Sequence, residues 1–159
     1  VAYVADEAAS GNMSHLVDAY CGSGLFAVSA SERFESCVGV EISAEAAHWA
    51  RANAAINRLD NCEFILGSAE EVFAEVPFAG ATSALVIDPP RKGCDSAFLD
   101  QTIAFGPRRI VYVSCDPATQ ARDVEALLKG GYQLDGVQPF DLFPQTRHVE
   151  SIATLKRLD

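Results

Sequence analysis

The sequence predicts an α/β fold: a doubly wound, mostly parallel sheet that ends in an antiparallel hairpin. Three observations carry this. Apolar runs of about five residues alternate with longer segments of helical period, the pattern of a parallel sheet covered on both faces. Three of the runs lead directly into chemistry-bearing residues, at Asp18-Ala19-Tyr20-Cys21, Asp88-Pro89-Pro90 and Cys115-Asp116-Pro117. Open α/β sheets bind their ligands at such carboxyl ends. The last two extended segments have no helix between them, so they pair as a hairpin and close the sheet with an antiparallel edge.

The elements follow in order along the chain. Residues 1–10 have helical character, and 15–20 form the first apolar strand. Residues 25–32 make a helix after the Gly22-Ser23-Gly24 loop, and 36–40 make the second strand. Residues 44–57 are rich in Ala, a strong helix former. A third strand is expected at 62–66, a short helix at 69–76 and a fourth strand at 83–87. A helix at 97–105 precedes the fifth strand, 109–114. The helix at 117–129 ends at Gly130-Gly131, a stop signal. Residues 132–140 and 149–155 are the hairpin strands. Ser10-Gly11-Asn12 and Pro77-Phe78-Ala79-Gly80 read as surface loops, and the sequence has neither an internal repeat nor a low-complexity tract.

At 159 residues, 49% of them hydrophobic, the whole chain, 1–159, forms one domain with one sizeable core. The 12 Lys and Arg against 22 Asp and Glu give a net charge of -10, opposite in sign to a stand-alone nucleic-acid binder. Most phosphate contacts to an RNA would have to come from a local patch or from elements outside this chain. Five cysteines, odd in number and without a C-x-x-C pair, indicate neither a disulfide framework nor a zinc site, and fit a reducing, intracellular compartment. Cytoplasm, nucleus and mitochondrion are not distinguished. No apolar run approaches the roughly 20 residues of a membrane span, and no signal peptide is evident. The chain opens on Val1 without an initiator Met, which suggests an excised or partial domain.

A strand holding Asp18, a loop with Gly22 and Gly24, and then a helix let backbone amides and a helix N-terminus approach a polar ligand. The third glycine of G-x-G-x-x-G is missing, since Ala27 or Val28 stands there, and a simple tight turn is the plain alternative. Glu41, directly after the second strand, is placed to accept hydrogen bonds from ribose hydroxyls. The spacing suits either NAD or S-adenosylmethionine. Asp88-Pro89-Pro90 favours the second, because two prolines stiffen a loop that presents a carboxylate beside a planar base, which no dehydrogenase needs.

Methylating an exocyclic amine needs only orientation and a lone pair. Carbon 5 of uracil, in contrast, becomes nucleophilic only after another nucleophile adds to carbon 6, and a base must then remove the carbon 5 proton. Cys115 and Glu150 supply both groups. At the start of a helix Cys115 is expected to gain thiolate character from the helix N-terminus, where an ordinary thiol has a pKa of about 8.5, although Asp116 opposes this by its charge. A lone strand-end cysteine is usually an inert packing thiol; its company, Asp88 and Glu150, argues for a nucleophile. Glu150 could instead be a solvated strand residue. His148 reads as a hydrogen-bonding loop residue, and Cys21, Cys37, Cys62 and Cys94 as packing. Arg91-Lys92 would neutralise a target phosphate or simply be surface charge, and Phe140 and Phe143 would stack on a base or fill the core.

With these motifs, Asp-Ala-Tyr-Cys-Gly-Ser-Gly, Asp-Pro-Pro-Arg-Lys-Gly-Cys, Val-Ser-Cys-Asp-Pro and Phe-Pro-Gln-Thr-Arg-His-Val-Glu, the chain resembles the RNA (uracil-5-)-methyltransferases over essentially its whole length. Its segment 141–151 is most similar to fungal tRNA enzymes that make 5-methyluridine in the T loop. The resemblance implies a class I methyltransferase (Rossmann-like) fold, S-adenosyl-L-methionine as cofactor, and RNA, most of all tRNA, as partner. It implies no metal and no membrane, and a monomer is expected. Cys115 then corresponds to the nucleophile and Glu150 to the base, while Tyr20, Glu41 and Asp88 hold the cofactor with Gly22, Ser23 and Gly24 close by. Two departures stand out: Asp116 and Ser23 occupy positions where the family has Asn. Family members also carry a cofactor segment and an RNA-binding region upstream, which the acidic balance of this chain would leave to supply much of the RNA contact. An amino-methyltransferase of a nucleobase and a non-catalytic RNA-binding or chaperone fragment are the competing readings.

Overall fold

The computed structural model describes residues 1–68, 72–142, 144–146 and 149–158. In chain order the strands are β1 (His15–Ala19), β2 (Ser36–Glu41), β3 (Cys62–Leu66), β4 (Ser83–Ile87), β5 (Arg109–Ser114), β6 (Tyr132–Phe140) and β7 (Glu150–Arg157). The helices are α1 (Ala2–Ala9), α2 (Leu25–Ala30), α3 (Ala44–Ile56), α4 (Ser96–Phe105) and α5 (Pro117–Lys129). The sheet has seven strands in the order β3-β2-β1-β4-β5-β7-β6. Neighbours from β3 to β5 run parallel, and β7 is antiparallel to both β5 and β6.

Every residue of β4 and β5 is buried, because helices cover both faces and the strands need no polar side. The period of two divides their side chains between two cores. Leu16, Val86 and Val111 face the layer of α1, α2 and α3, whereas Val17, Leu85 and Ile110 face α4 and α5. The buried stripe of α3 consists of Ala47, Ala50 and Ala54, so the helix lies close to the sheet. Phe64 fills the space left by two glycines: a Cβ on Gly39 would lie 2.6 Å from its ring, and one on Gly24 3.0 Å. The helices start where side chains satisfy their free amides. Ser43 accepts from Ala46, Asp95 from Phe98, and Asp116 from both Ala118 and Thr119.

From β1 the chain builds outward through β2 and β3, and from β4 it builds the other way through β5. The β1/β4 boundary is therefore the point at which strand order reverses, where a crevice opens beyond the carboxyl ends of the strands. Ala19 pairs with Ile87 there, so the next residues, Tyr20 and Asp88, stand at one level on either side of the crevice.

Differences from the expected elements are local. β1 stops at Ala19 because Tyr20 turns into the left-handed region, at φ 64°. The α-helical part of α2 ends at Ala30 and finishes as a 3₁₀ turn, Ser31–Arg33. Of the short helix expected at 69–76, residues 69–71 lie outside the described residues, and the remainder holds only a 3₁₀ turn, Val72–Ala74. Phe73 anchors that turn by stacking on Phe105 at 4.6 Å. Gly80 was expected in a surface loop but is buried, since a Cβ there would lie 1.9 Å from the Phe105 carbonyl oxygen. β7 begins one residue later than expected and runs two residues further.

Candidate active site

Two cavities open at the carboxyl ends of the strands. The first, about 260 Å³, lies beyond β1 and β2 and is lined by Tyr20, Glu41, Ile42, Gly67, Pro90 and Lys92. The glycine loop at its side is bound to Glu41: the carboxylate accepts from the Gly22 amide at 2.9 Å and from the Ser43 amide at 2.7 Å. Asn53 holds the Ser23 carbonyl at 2.9 Å from the other side. Gly22 and Gly24 both sit at positive φ, 54° and 85°, where a side chain would be strained. The Gly22 amide, expected to face a ligand, is thus directed at Glu41, whose two oxygens keep a further lone pair each for hydroxyl donors. A polar ligand with a ribose and a flat apolar group beside Ile42 fits this donor set.

Under the loop lies Asp18, fully buried in β1. One of its oxygens accepts from the Ala27 amide at 2.9 Å and so fixes the start of α2; the other has no partner. Burial, with the charges of Asp88 and Glu41 added, pushes its carboxyl up to about 7. Sequence reading noted Asp18 only as part of a strand end; an acid flanked by Leu16, Val17 and Ala19 was the available signal. The Cys21 thiol is likewise driven far up by burial, which makes it a packing group as expected. Cys94 is raised to about 12 for the same reason, and Cys37 lies opposite Cys62 on neighbouring strands.

The second cavity, about 330 Å³, contains Asp88, Cys115 and Glu150 among apolar walls that include Tyr3, Phe26 and Phe140. The sheet register explains how two residues so far apart in sequence meet. The β5/β7 ladder pairs Val113 with Ile152 and ends at Ser114 with Ser151, so Cys115 and Glu150 are the next residues beyond the last pair at the same end of the two strands. On the other side of β7, Phe140 of β6 pairs with Glu150. Cys115 and Glu150 are half-buried. Asp88 opens partly to the cavity mouth, yet desolvation, followed by the charge of Glu150, raises its carboxyl to about 6.

These positions refine the expectations. Tyr20 and Glu41 line the first cavity, and the Gly22-Ser23-Gly24 loop is tied to it through the Gly22–Glu41 hydrogen bond, whereas Asp88 borders the second, with Cys115 and Glu150. Lys92 lines the first cavity, and Arg91 is exposed. The amides of Ala118 and Thr119 donate to Asp116, not to the Cys115 sulfur, so Asp116 acts as a helix cap and its charge is directed along α5. Ser114 Oγ, which accepts from the Asp116 amide at 3.0 Å, holds the turn that presents Cys115. Phe143, Arg147 and His148 lie outside the described residues. Among the described residues there is no group of three or more His, Cys, Asp or Glu that could hold a metal ion, and no helix long and apolar enough to cross a membrane.

Comparison with known proteins gives one consistent answer. The family model described as tRNA (Uracil-5-)-methyltransferase matches residues 2–158. A tRNA (uracil(54)-C(5))-methyltransferase of Schizosaccharomyces pombe is 52% identical over 148 residues, covering 91% of this chain and 28% of that protein. The protein of the same name from Saccharomyces cerevisiae is 46% identical over 148 residues, covering 90% and 23%. The chain thus spans about a quarter of the length of these relatives. The crystal structure of Pyrococcus abyssi tRNA (uracil-54, C5)-methyltransferase in complex with S-adenosyl-L-homocysteine superposes with a TM-score of 0.82 at 33% identity, over 97% of this chain and 36% of that one.

Proposed function

The chain belongs to the tRNA (uracil-5-)-methyltransferase family, and from that premise we propose that it is the catalytic domain of an S-adenosylmethionine-dependent enzyme that methylates carbon 5 of a uridine in tRNA. The observation that carries the proposal is the convergence of Cys115, Glu150 and Asp88 in one cavity, the first two directly beyond the last β5/β7 pair. Tyr20 and Glu41 would hold the cofactor in the adjoining cavity, Glu41 through the ribose hydroxyls, with the Gly22-Ser23-Gly24 loop at its side. When bound, S-adenosylmethionine supplies an electrophilic methyl group for carbon 5.

Cys115 Sγ, as thiolate, adds to carbon 6 of the uracil, and the electron pair of the 5,6 double bond moves to carbon 5 as an enolate. After methylation carbon 5 carries one proton too many. Glu150 takes that proton, the C–H electron pair re-forms the double bond, and the carbon 6 to sulfur bond breaks to return the thiolate. Asp88, in the second cavity and two residues before Pro90 of the first, would orient the uracil toward the methyl group. The walls formed by Tyr3, Phe26 and Phe140 would place apolar groups beside the enolate. The reading includes a monomer in an intracellular, reducing compartment, supported by cysteines that are all free thiols.

Cys115→Ser in the complete polypeptide tests the mechanism. Formation of 5-methyluridine is expected to fall below detection, and RNA containing 5-fluorouracil, which traps a covalent complex with the unaltered protein, should trap none. Formation of 5-methyluridine by Cys115→Ser at the unaltered rate would refute the thiol mechanism, and methylation of an exocyclic amine in its place would favour an amino-methyltransferase.

A further inference from the structure

Helix α5 carries polar side chains into the protein where its packing on the sheet would need only Val124 and Leu127. Building on the function proposed above, we propose that α5 is a positioning element with two separable arms: Thr119, Arg122 and Asp123 hold the loop that borders the cofactor cavity, and Gln120 holds Cys115 in register with Glu150.

The first arm hydrogen-bonds three residues of the loop after Asp88-Pro89-Pro90: Arg91, Lys92 and Cys94. Thr119 Oγ1 donates to the Arg91 carbonyl at 3.1 Å, and Arg122 Nη2 donates to those of Lys92 and Cys94 at 3.0 and 3.2 Å. The Cys94 amide donates to Asp123 Oδ2 at 2.8 Å. Asp123 is 1% exposed, and its carboxylate is fully occupied: Tyr112 Oη donates to Oδ2 at 2.6 Å, and Arg122 donates to Oδ1 through Nε at 2.9 Å and Nη2 at 2.7 Å. Gly93 has φ +76°, and a Cβ on it would lie 2.5 Å from Asp123 Oδ2, so the loop backbone rests directly on the clamp. Pro90, Lys92 and Gly93 line the cofactor cavity. The clamp therefore sets one wall of that cavity and the exit of the chain from Asp88.

The second arm is a single amide. Gln120 is 4% exposed, and its Nε2 donates to the Tyr112 carbonyl in β5 at 2.8 Å and to the Ser151 carbonyl in β7 at 3.0 Å. Both hydrogens of the amide nitrogen are used, one on the strand that delivers Cys115 and one on the residue after Glu150. An amide nitrogen with both hydrogens paired in this way fixes one arrangement where an apolar contact would tolerate several.

The arms are separated by two readouts that need no turnover of the loaded enzyme. One is the dissociation constant of S-adenosylhomocysteine by calorimetry. The other is exchange of the uracil carbon 5 hydrogen with solvent in RNA without methyl donor: the thiolate adds to carbon 6, carbon 5 takes a solvent proton, and loss of the original hydrogen as a proton with expulsion of sulfur returns uracil. In the complete polypeptide, Asp123→Asn should weaken S-adenosylhomocysteine by about tenfold or more while exchange stays within about twofold. Gln120→Leu should reduce exchange by about tenfold or more and leave the dissociation constant within about twofold. Tyr112→Phe keeps the ring and removes one bond to Asp123; it should act in the same direction as Asp123→Asn and decides the first arm if that variant does not fold. Parallel changes in both readouts, or no change in either, overturn the proposal. Absence of exchange and methylation in the unaltered protein would instead remove the functional reading on which it rests.

Discussion

Asp18 makes the pH dependence of stability predictable. Its carboxyl is held at about 7 in the folded protein, against about 3.9 in an open chain, and the gap corresponds to about 4 kcal/mol. Below about pH 4 the group is neutral in both states and costs nothing; above about pH 7 it is ionised in both, and the folded state bears the burial of a charge. In between, the folded protein binds a proton that the unfolded chain has released, so stability falls as pH rises, by up to about 1.4 kcal/mol per pH unit. Asp18→Asn is isosteric and neutral at every pH. It can still accept from the Ala27 amide, and its NH₂ replaces the oxygen that has no partner. The variant should be the less stable protein at pH 4 and gain on the unaltered one by up to about 4 kcal/mol by pH 8, measured as urea unfolding at intervals of one pH unit. Asp88, raised to about 6, contributes with the same sign, and Asp135, lowered by Lys156 and Arg109, with the opposite one, but both are common to the two proteins. Stability curves that run parallel from pH 4 to pH 8 would refute the reasoning.

Two further outcomes are expected. Glu150→Gln should slow turnover by roughly 10²- to 10⁴-fold while leaving the addition step intact, so a covalent protein–RNA complex should accumulate on denaturing gels with ordinary tRNA; a slow variant without that complex would place the base elsewhere. Gly39→Ala puts a Cβ 2.6 Å from the Phe64 ring and 2.9 Å from Cys21 Sγ. Overpacking of this kind costs about 1 to 3 kcal/mol, and an unchanged unfolding midpoint would show that Phe64 moves aside freely.

Most of the fold could be read in advance because β1, β2, β4 and β5 are short apolar runs bounded by turn residues, and their limits differ by a residue or two at most. What the sequence concealed depends on partners distant along the chain. The helix expected at 69–76 has helical composition, but the stacking of Phe73 on Phe105 takes over, and the part described is a single turn. Gly80 has the composition of a loop and the burial of a core residue, because the end of α4 packs on it. For the site, residue types and strand ends led to Cys115, Glu150, Glu41 and Tyr20. That Cys115 and Glu150 come together follows only from the β5/β7 register, which no local pattern encodes. A strand end does not tell which side of the crevice its side chain borders, and Asp88 lines the second cavity beside Cys115 and Glu150. Gln120 and Asp123 were passed over, since polar residues in a helix ordinarily face solvent, and only the docking of α5 makes them internal.

The place of β7 has a consequence for how the protein is made. It is the last strand in the chain, yet it lies between β5 and β6, which are both finished earlier. Until residues 150–157 leave the ribosome, β5 and β6 each present an unpaired edge, a template for misassociation and a mark that chaperones can read. The strand that closes those edges begins with Glu150, the proposed base. Completion of the sheet and delivery of that proposed base are thus one event. A chain interrupted before that point has Cys115 but neither Glu150 nor a closed sheet.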